Sequence, residues 1–273
     1  VSLHPDGSFL QGKEVILTMT EPIDKQRWLL QETLRRHGMR TAAVVSTGLR
    51  HMRTTVGRGW DRFEIPREED DSAVTALAVR LLAEFRKEPL FLWVHYYDPH
   101  EIDRLHPGVA KFGETMIDHY DHQVAAVDRE IGNLLAAIDA DTSRATAVLL
   151  TADHGETLSG PIQYHGGDLG MDSMHIPMML RVLGRSSGTI TTPASLVDIA
   201  PTVLALTGAP AIATLDGQDL QNLRGPREVL TELWRLSLRN EPFIDQVAAT
   251  DERFLLVYDR LNDAFTLTRA GDL

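Results

Sequence analysis

Apolar residues recur along this chain in two rhythms, a helical one and short continuous runs of strand length. Residues 24–37 carry Trp28, Leu30 and Leu34 at helical spacing, with Asp24 placed to cap the start and Gly38 to end it. The next run, 41–45 (TAAVV), reads as a buried strand, followed by a basic, glycine-bearing loop over 50–60. Ser72 is placed to cap a second helix whose positions Val74, Leu77, Ala78, Leu81, Leu82 and Phe85 share a face, and Pro89 stops it. Residues 90–95 form a second apolar run, and 117–138 a longer helix with Tyr120, Val124, Val127, Ile131, Leu134 and Ile138 as its apolar stripe. Strand-like runs at 145–150 and 177–183 follow, then an amphipathic helix over 196–206 ended by Gly208 and Pro210. Strands alternating with helices predict an α/β fold, a mostly parallel sheet sandwiched by helices.

The rhythm changes near Arg227. Four short strand candidates, 228–233, 246–250, 253–258 and 264–267, follow with no helix between them. They predict a small antiparallel C-terminal annex, so the expected division is 1–226 for the α/β domain and 227–273 for the annex.

Composition narrows the chemistry. The 273 residues include no cysteine, which excludes a disulfide framework, a thiolate metal site and a cysteine nucleophile within the chain. The formal charge of -12 argues against nucleic acid as a partner, because phosphate neutralisation needs a basic patch. No apolar run approaches the ~20 residues of a membrane span. Residues 1–12 have neither the basic n-region nor the apolar h-region of a secretory signal.

Eight of the eleven histidines fall between positions 95 and 175. One group lies at the carboxyl end of the second strand, in His95-Tyr96-Tyr97-Asp98-Pro99-His100; another at the end of the third, in Thr151-Ala152-Asp153-His154-Gly155-Glu156. In open parallel sheets that edge is where ligands bind. Asp153 and His154 offer a carboxylate oxygen and an imidazole nitrogen side by side, and Gly155 lets the backbone turn so that both can face one ion. His100 and His165, the latter before two glycines, are placed to meet an anion, although each taken alone is ordinarily a loop residue. His95 reads as a hydrogen-bonded core histidine, and His119 and His122 as surface residues on the polar side of their helix. Arg50, Arg53 and Arg58 read as a solvated loop face, and Ser46 and Thr47 as structural.

Together these stretches resemble the sulfatases of the alkaline phosphatase superfamily. The resemblance rests on LFLWVHYYDPH (90–100), YDHQVAAVDREIGNLL (120–135), TADHGE with YHGGDLGMDSMHIP (151–177) and SLVDIAPTVLALTGAP (195–210), in that order, with softer echoes at 32–45 and 59–63. It implies a hydrolase of sulfate esters with a divalent metal, Ca, Mn or Zn, held in part by Asp153 and His154. It also implies that His100 and His165 act as catalytic and substrate-binding groups at the transferred sulfate or phosphate. The substrate would be a small-molecule or glycan sulfate ester. Members of the family are often periplasmic or extracellular.

Two departures stand out. The family's lysine after the His-Gly motif has no counterpart, since Asp168, Leu169 and Gly170 occupy that stretch. The family's first strand with paired aspartates, and its nucleophile, are not recognisable in the two dozen residues before Asp24, so that catalytic segment is expected outside this chain and the fragment alone is expected to be inactive. The alternatives are a phosphoesterase or phosphoglycerol-type transferase of the same superfamily, and a non-catalytic binding module that keeps the fold.

Overall fold

In a computed structural model of the protein, the described residues are 23, 27–158, 165–236 and 242–269. The upstream stretch, on which the expectation of a missing first strand rests, lies outside them, as does Asp24. Two compact units divide the chain, one within Gln11–Ala145 and the other within Thr146–Leu273.

The first unit is built on a parallel sheet of order β2-β1-β3, with β1 Arg40–Val45, β2 Arg62–Glu64 and β3 Leu90–His95. Residues 41–45 of β1 are all buried. Successive side chains of a strand point to opposite faces, so five in a row can be buried only if both faces are covered. Helix α1 (Leu30–Arg36) and helix α3 (Asp71–Glu84) both pack on β1, α2 being the single turn Arg53–Val56. On one face Ala42 and Val44 meet Val74, Ala78, Leu81 and Phe85 of α3, the face anticipated from spacing. Each large side chain buried there contributes roughly 1.5–3 kcal/mol.

Three local expectations are corrected. Helix α1 begins at Leu30 after an uncapped Leu29, so Trp28 lies before it rather than within it. The cap of α3 is Asp70, whose carboxylate accepts the Ser72 N–H at 2.7 Å; Ser72 is the recipient, not the cap. The long helix α4 (Met116–Ala140) starts with a Thr115/Asp118 capping box, yet the side chains it buries are His122, Gln123, Ala126 and Glu130, while Val124 of the expected apolar stripe is exposed.

In the second unit β4 (Val148–Thr151) pairs antiparallel with β5 (Met178–Arg181), and the short α5 (Met171–Met174) precedes β5. A 3-10 turn at Leu196–Asp198 runs into α6 (Ile199–Thr207), which ends at Gly208 as its sequence predicts. The annex is the expected antiparallel meander: β6 (Val229–Leu236), β7 (Pro242–Thr250), β8 (Phe254–Asp259) and β9 (Ala264–Arg269), in sequence order. One of its faces buries Ala248 and Leu255 against Leu169, so the residue that stands in the family's lysine stretch is part of the core. Arg227 enters a buried, two-pronged ion pair with Asp198, at 2.6 and 2.7 Å, which ties the start of the annex to α6.

Candidate functional site

Each unit carries one cluster of chemistry at a strand end. In the first unit, β3 runs into Tyr96-Tyr97 and a 3-10 turn, Asp98–His100. Asp71, the first residue of α3 and fully buried, accepts the backbone N–H of Tyr97 at 3.1 and 2.9 Å and that of Asp98 at 2.8 Å. Asp98 is 3% exposed, takes Arg104 Nη1 at 3.0 Å and lies 3.6 Å from His106 Nε2. Burial pushes the Asp71 carboxyl up to about 7, with Asp98 nearby adding to it and the backbone N–H groups opposing it. Burial raises Asp98 as well, against the pull of His106 and Arg104.

The polar face of α4 explains its own burial. His122 Nδ1 lies 2.9 Å from the Ala110 carbonyl, which can only accept, so Nδ1 carries the proton and Nε2 receives the His106 N–H at 2.9 Å. His106 Nε2 in turn meets Gln123 Oε1 at 2.7 Å, and Gln123 Nε2 donates to the carbonyls of Ile102 and Arg104. These side chains satisfy the backbone of the loop after His100, a task apolar groups cannot perform. His122, expected on the surface, is 4% exposed. The signal was present in the spacing 122, 123, 126, 130, a helical stripe read by polarity rather than by period.

His100 itself is exposed, its ring stacked on Tyr97 with centroids 4.6 Å apart and 14° between planes. His95 is half-buried beside Trp93. Thr47 donates to the Pro66 and Glu68 carbonyls, the structural role expected of it, and Arg58 is engaged with Glu32 and the carbonyls of Ile23 and Arg27.

In the second unit β4 ends in the Asp153-His154-Gly155-Glu156 loop. His154 Nδ1 lies 2.9 Å from the Gly155 carbonyl, which leaves the Nε2 lone pair facing outward, 3.6 Å from Asp153 Oδ2. Gly155 is required by close approach rather than by an unusual φ: its N–H donates to Ser173 at 2.7 Å, and a Cβ there would run into the Asp172 carbonyl. His165 arrives from the following loop, its ring centroid 4.1 Å from that of His154, and its Nδ1 donates to Glu156 Oε2 at 3.0 Å. Glu156 is the residue that sequence reasoning passed over. Its side chain is 8% exposed, and its second oxygen, Oε1, is buried with no hydrogen-bond partner among the described residues. Arg235 of β6 donates to the Gly166 carbonyl at 2.7 Å and so ties the His165 loop to the annex sheet.

The donor set suits a divalent cation. One ligand atom each from His154, Glu156 and His165 lie within 4.8 Å of one another. Two ligands on one ion with bonds of about 2.1 Å are at most ~4.2 Å apart, so closing on an ion takes only small side-chain rotation. Two imidazoles and a carboxylate, with the orphaned Glu156 oxygen, match the N/O ligation of zinc or manganese better than the all-oxygen preference of calcium. Asp153, with a side chain 67% exposed, flanks this group. His100 belongs to the other unit.

Arylsulfatase K of Danio rerio is 33% identical over 139 residues, which is 47% of this chain and 26% of that protein. The chain thus spans well under half the length of the curated relatives it matches. Two solved structures share the fold: a protein in complex with its substrate D-glucosamine-2-N,6-O-disulfate (TM-score 0.68, 12% identity, 93% of this chain and 77% of that one) and the phosphonate monoester hydrolase of Agrobacterium radiobacter (TM-score 0.71, 14% identity, 93% and 76%). At such identities they speak for the fold alone. The family model for sulfatases matches residues 15–209, about seven-tenths of the chain, and this protein belongs to the sulfatase family.

Proposed function

We propose that this chain forms part of the active site of a metal-dependent sulfuric ester hydrolase acting on a small-molecule or glycan sulfate ester. The observation that carries the reading is the His154-Glu156-His165 group beside Asp153, at the end of a strand whose sequence matches the family. Asp153, His154, Glu156 and His165 would hold the ion, with zinc or manganese preferred over calcium; when bound, it would polarise the ester oxygens. His165, fixed by Glu156 at Nδ1, presents Nε2 with a defined tautomer. His100, on its exposed turn, contacts the oxygens of the transferred group or carries the proton to the leaving oxygen, as an imidazole of near-neutral intrinsic pKa can.

The acidic net charge of -12 is consistent with a small anionic substrate recognised locally rather than a polyanion bound over a surface. No described helix is long and apolar enough to cross a membrane. A phosphorus ester is the second reading, favoured by histidine at 154. A fold kept only for binding is disfavoured by the buried, unsatisfied Glu156 oxygen, which costs stability unless something engages it.

The test is a comparison of 4-nitrophenyl sulfate, phosphate and phenylphosphonate as substrates of the enzyme expressed from its complete reading frame. The sulfate ester is expected to have the highest kcat/KM. A preference for either phosphorus ester installs the second reading, and no turnover of any of them removes both.

A further inference from the structure

Two buried carboxylates, Asp71 and Asp98, meet where β3 leaves the sheet. Burying them is costly unless they do something no neutral group would. What Asp71 does is hold backbone: both of its oxygens accept from Tyr97 N–H, and one also from Asp98 N–H. Asp98 returns the favour by facing the Asp71 N–H at 3.4 Å, while Arg104 and His106 brace its own carboxylate. The start of α3 and the 3-10 turn therefore cap one another.

The residue fixed this way is the one His100 leans on. His100 N–H donates to the Tyr97 carbonyl at 3.0 Å, and its ring lies flat on the Tyr97 ring. The other wall is Gly48, just after β1, where a Cβ would collide with the Cε1 and Cδ1 edge of Tyr97. Only glycine lets the tyrosine ring settle there. A ring backed by a seated tyrosine keeps one plane.

We propose that Asp71 and Tyr97, with Gly48 as the seat, are positioning residues that set the orientation of the His100 imidazole for the transferred group. The role rests on the reading of His100 given above. Misplacing a reacting group by about 1 Å can lower turnover on the order of 100-fold. The chain reads Asp71 carboxylate, Tyr97 backbone, Tyr97 ring, His100 ring, with no contact between Asp71 and substrate required.

Two measurements on the enzyme from the complete reading frame test this. In the first, histidine ring resonances are recorded by NMR with selectively labelled histidine. The Cε1–H of His100 is expected to be shifted upfield by the Tyr97 ring, and Tyr97→Leu, Gly48→Ala and Asp71→Asn should each release that shift while leaving His154 and His165 unmoved. Gly48 is exposed, so its variant remains informative if an Asp71 variant fails to fold. A His100 signal unchanged in both Gly48→Ala and Asp71→Asn overturns the positioning role.

In the second, 4-nitrophenyl sulfate turnover is measured in a double-mutant cycle. Gly48→Ala should lower kcat at least 10-fold with KM moved far less, and Tyr97→Phe should exceed Tyr97→Leu by a similar factor. In a His100→Ala background the Gly48→Ala effect should vanish; an equal effect in both backgrounds marks a purely structural role and overturns the proposal. Wild-type turnover by His100→Ala instead overturns the reading of His100, leaving the NMR result to judge the geometry by itself.

Discussion

The two strand ends that carry the chemistry are built on opposite principles. After β3 the polar groups are buried and satisfied by the protein itself: Asp71 and Asp98 grip backbone, and His122 and Gln123 of α4 take up the loop that follows. After β4 the side chains of Asp153 and His154 are 67% and 40% exposed, their hydrogen bonds are to immediate neighbours, and the buried carboxylate of Glu156 leaves an oxygen unsatisfied among the described residues. The first end is finished as folded. The second is an arrangement whose polar atoms make sense with a cation among them.

The contrast can be broken at its extremes. His154→Ala should abolish stoichiometric binding of zinc or manganese, and Glu156→Ala should weaken it by roughly 10- to 100-fold, both read by metal analysis after dialysis. Metal retained by His154→Ala would remove that end from any metal site. Stability should respond the other way round. Asp71→Ala strands three hydrogen bonds to two backbone amides and should cost about 3 kcal/mol in urea unfolding, whereas Asp153→Ala, at an exposed position, should stay within about 0.5 kcal/mol without metal. Equal losses at the two aspartates would erase the comparison.

A pH series sharpens it further. An unfolded aspartate titrates near 3.8, and Asp71 in the fold near about 7, so between those values the native state holds the extra proton. Stability contributed through Asp71 is therefore greatest below pH 4, declines as pH rises toward 7, and is flat above. A rise of that size corresponds to ~4 kcal/mol, and the parallel rise of Asp98 acts in the same direction. The charged neighbours of Asp71 here are Asp70 and Asp98, with Arg104 and His106 behind the latter. Asp71→Asn should flatten that slope; a slope unchanged in this variant assigns it elsewhere. The smallest effect is expected at the annex, where Arg235→Met frees the Gly166 carbonyl and should lower metal affinity no more than about 10-fold, measured by zinc titration.

What was legible in the sequence follows the same division. β1 and α3, whose burial is apolar, were readable because hydrophobic pattern reports the residues that leave water, and β3 and the annex strands because short apolar runs mark strands. Asp153, His154, His100 and His165 stand out in the sequence because residue type and position after a strand suggest chemistry, and the fold brings two of them, His154 and His165, together. Glu156 was not singled out, although it stands within the same six-residue motif, because its importance lies in the fold bringing His165 back to it. The inner face of α4 was misread for a related reason: His122, Gln123 and Glu130 are buried by a loop that needs hydrogen-bond partners, and apolar periodicity is blind to that need. Asp71, the first residue of α3, is not singled out by any sequence pattern. Its partners are 26 and 27 residues away, and no local pattern encodes them.

The most direct test of the account is hydrolysis of 4-nitrophenyl sulfate by the enzyme from its complete reading frame, wild type beside His154→Ala, with saturating manganese or zinc and after chelation. The account predicts turnover in the wild type that is lost on chelation and restored by metal, and at least ~100-fold lower turnover in the variant under every condition. Equal turnover in the two proteins, or wild-type activity that survives complete removal of metal, would contradict it.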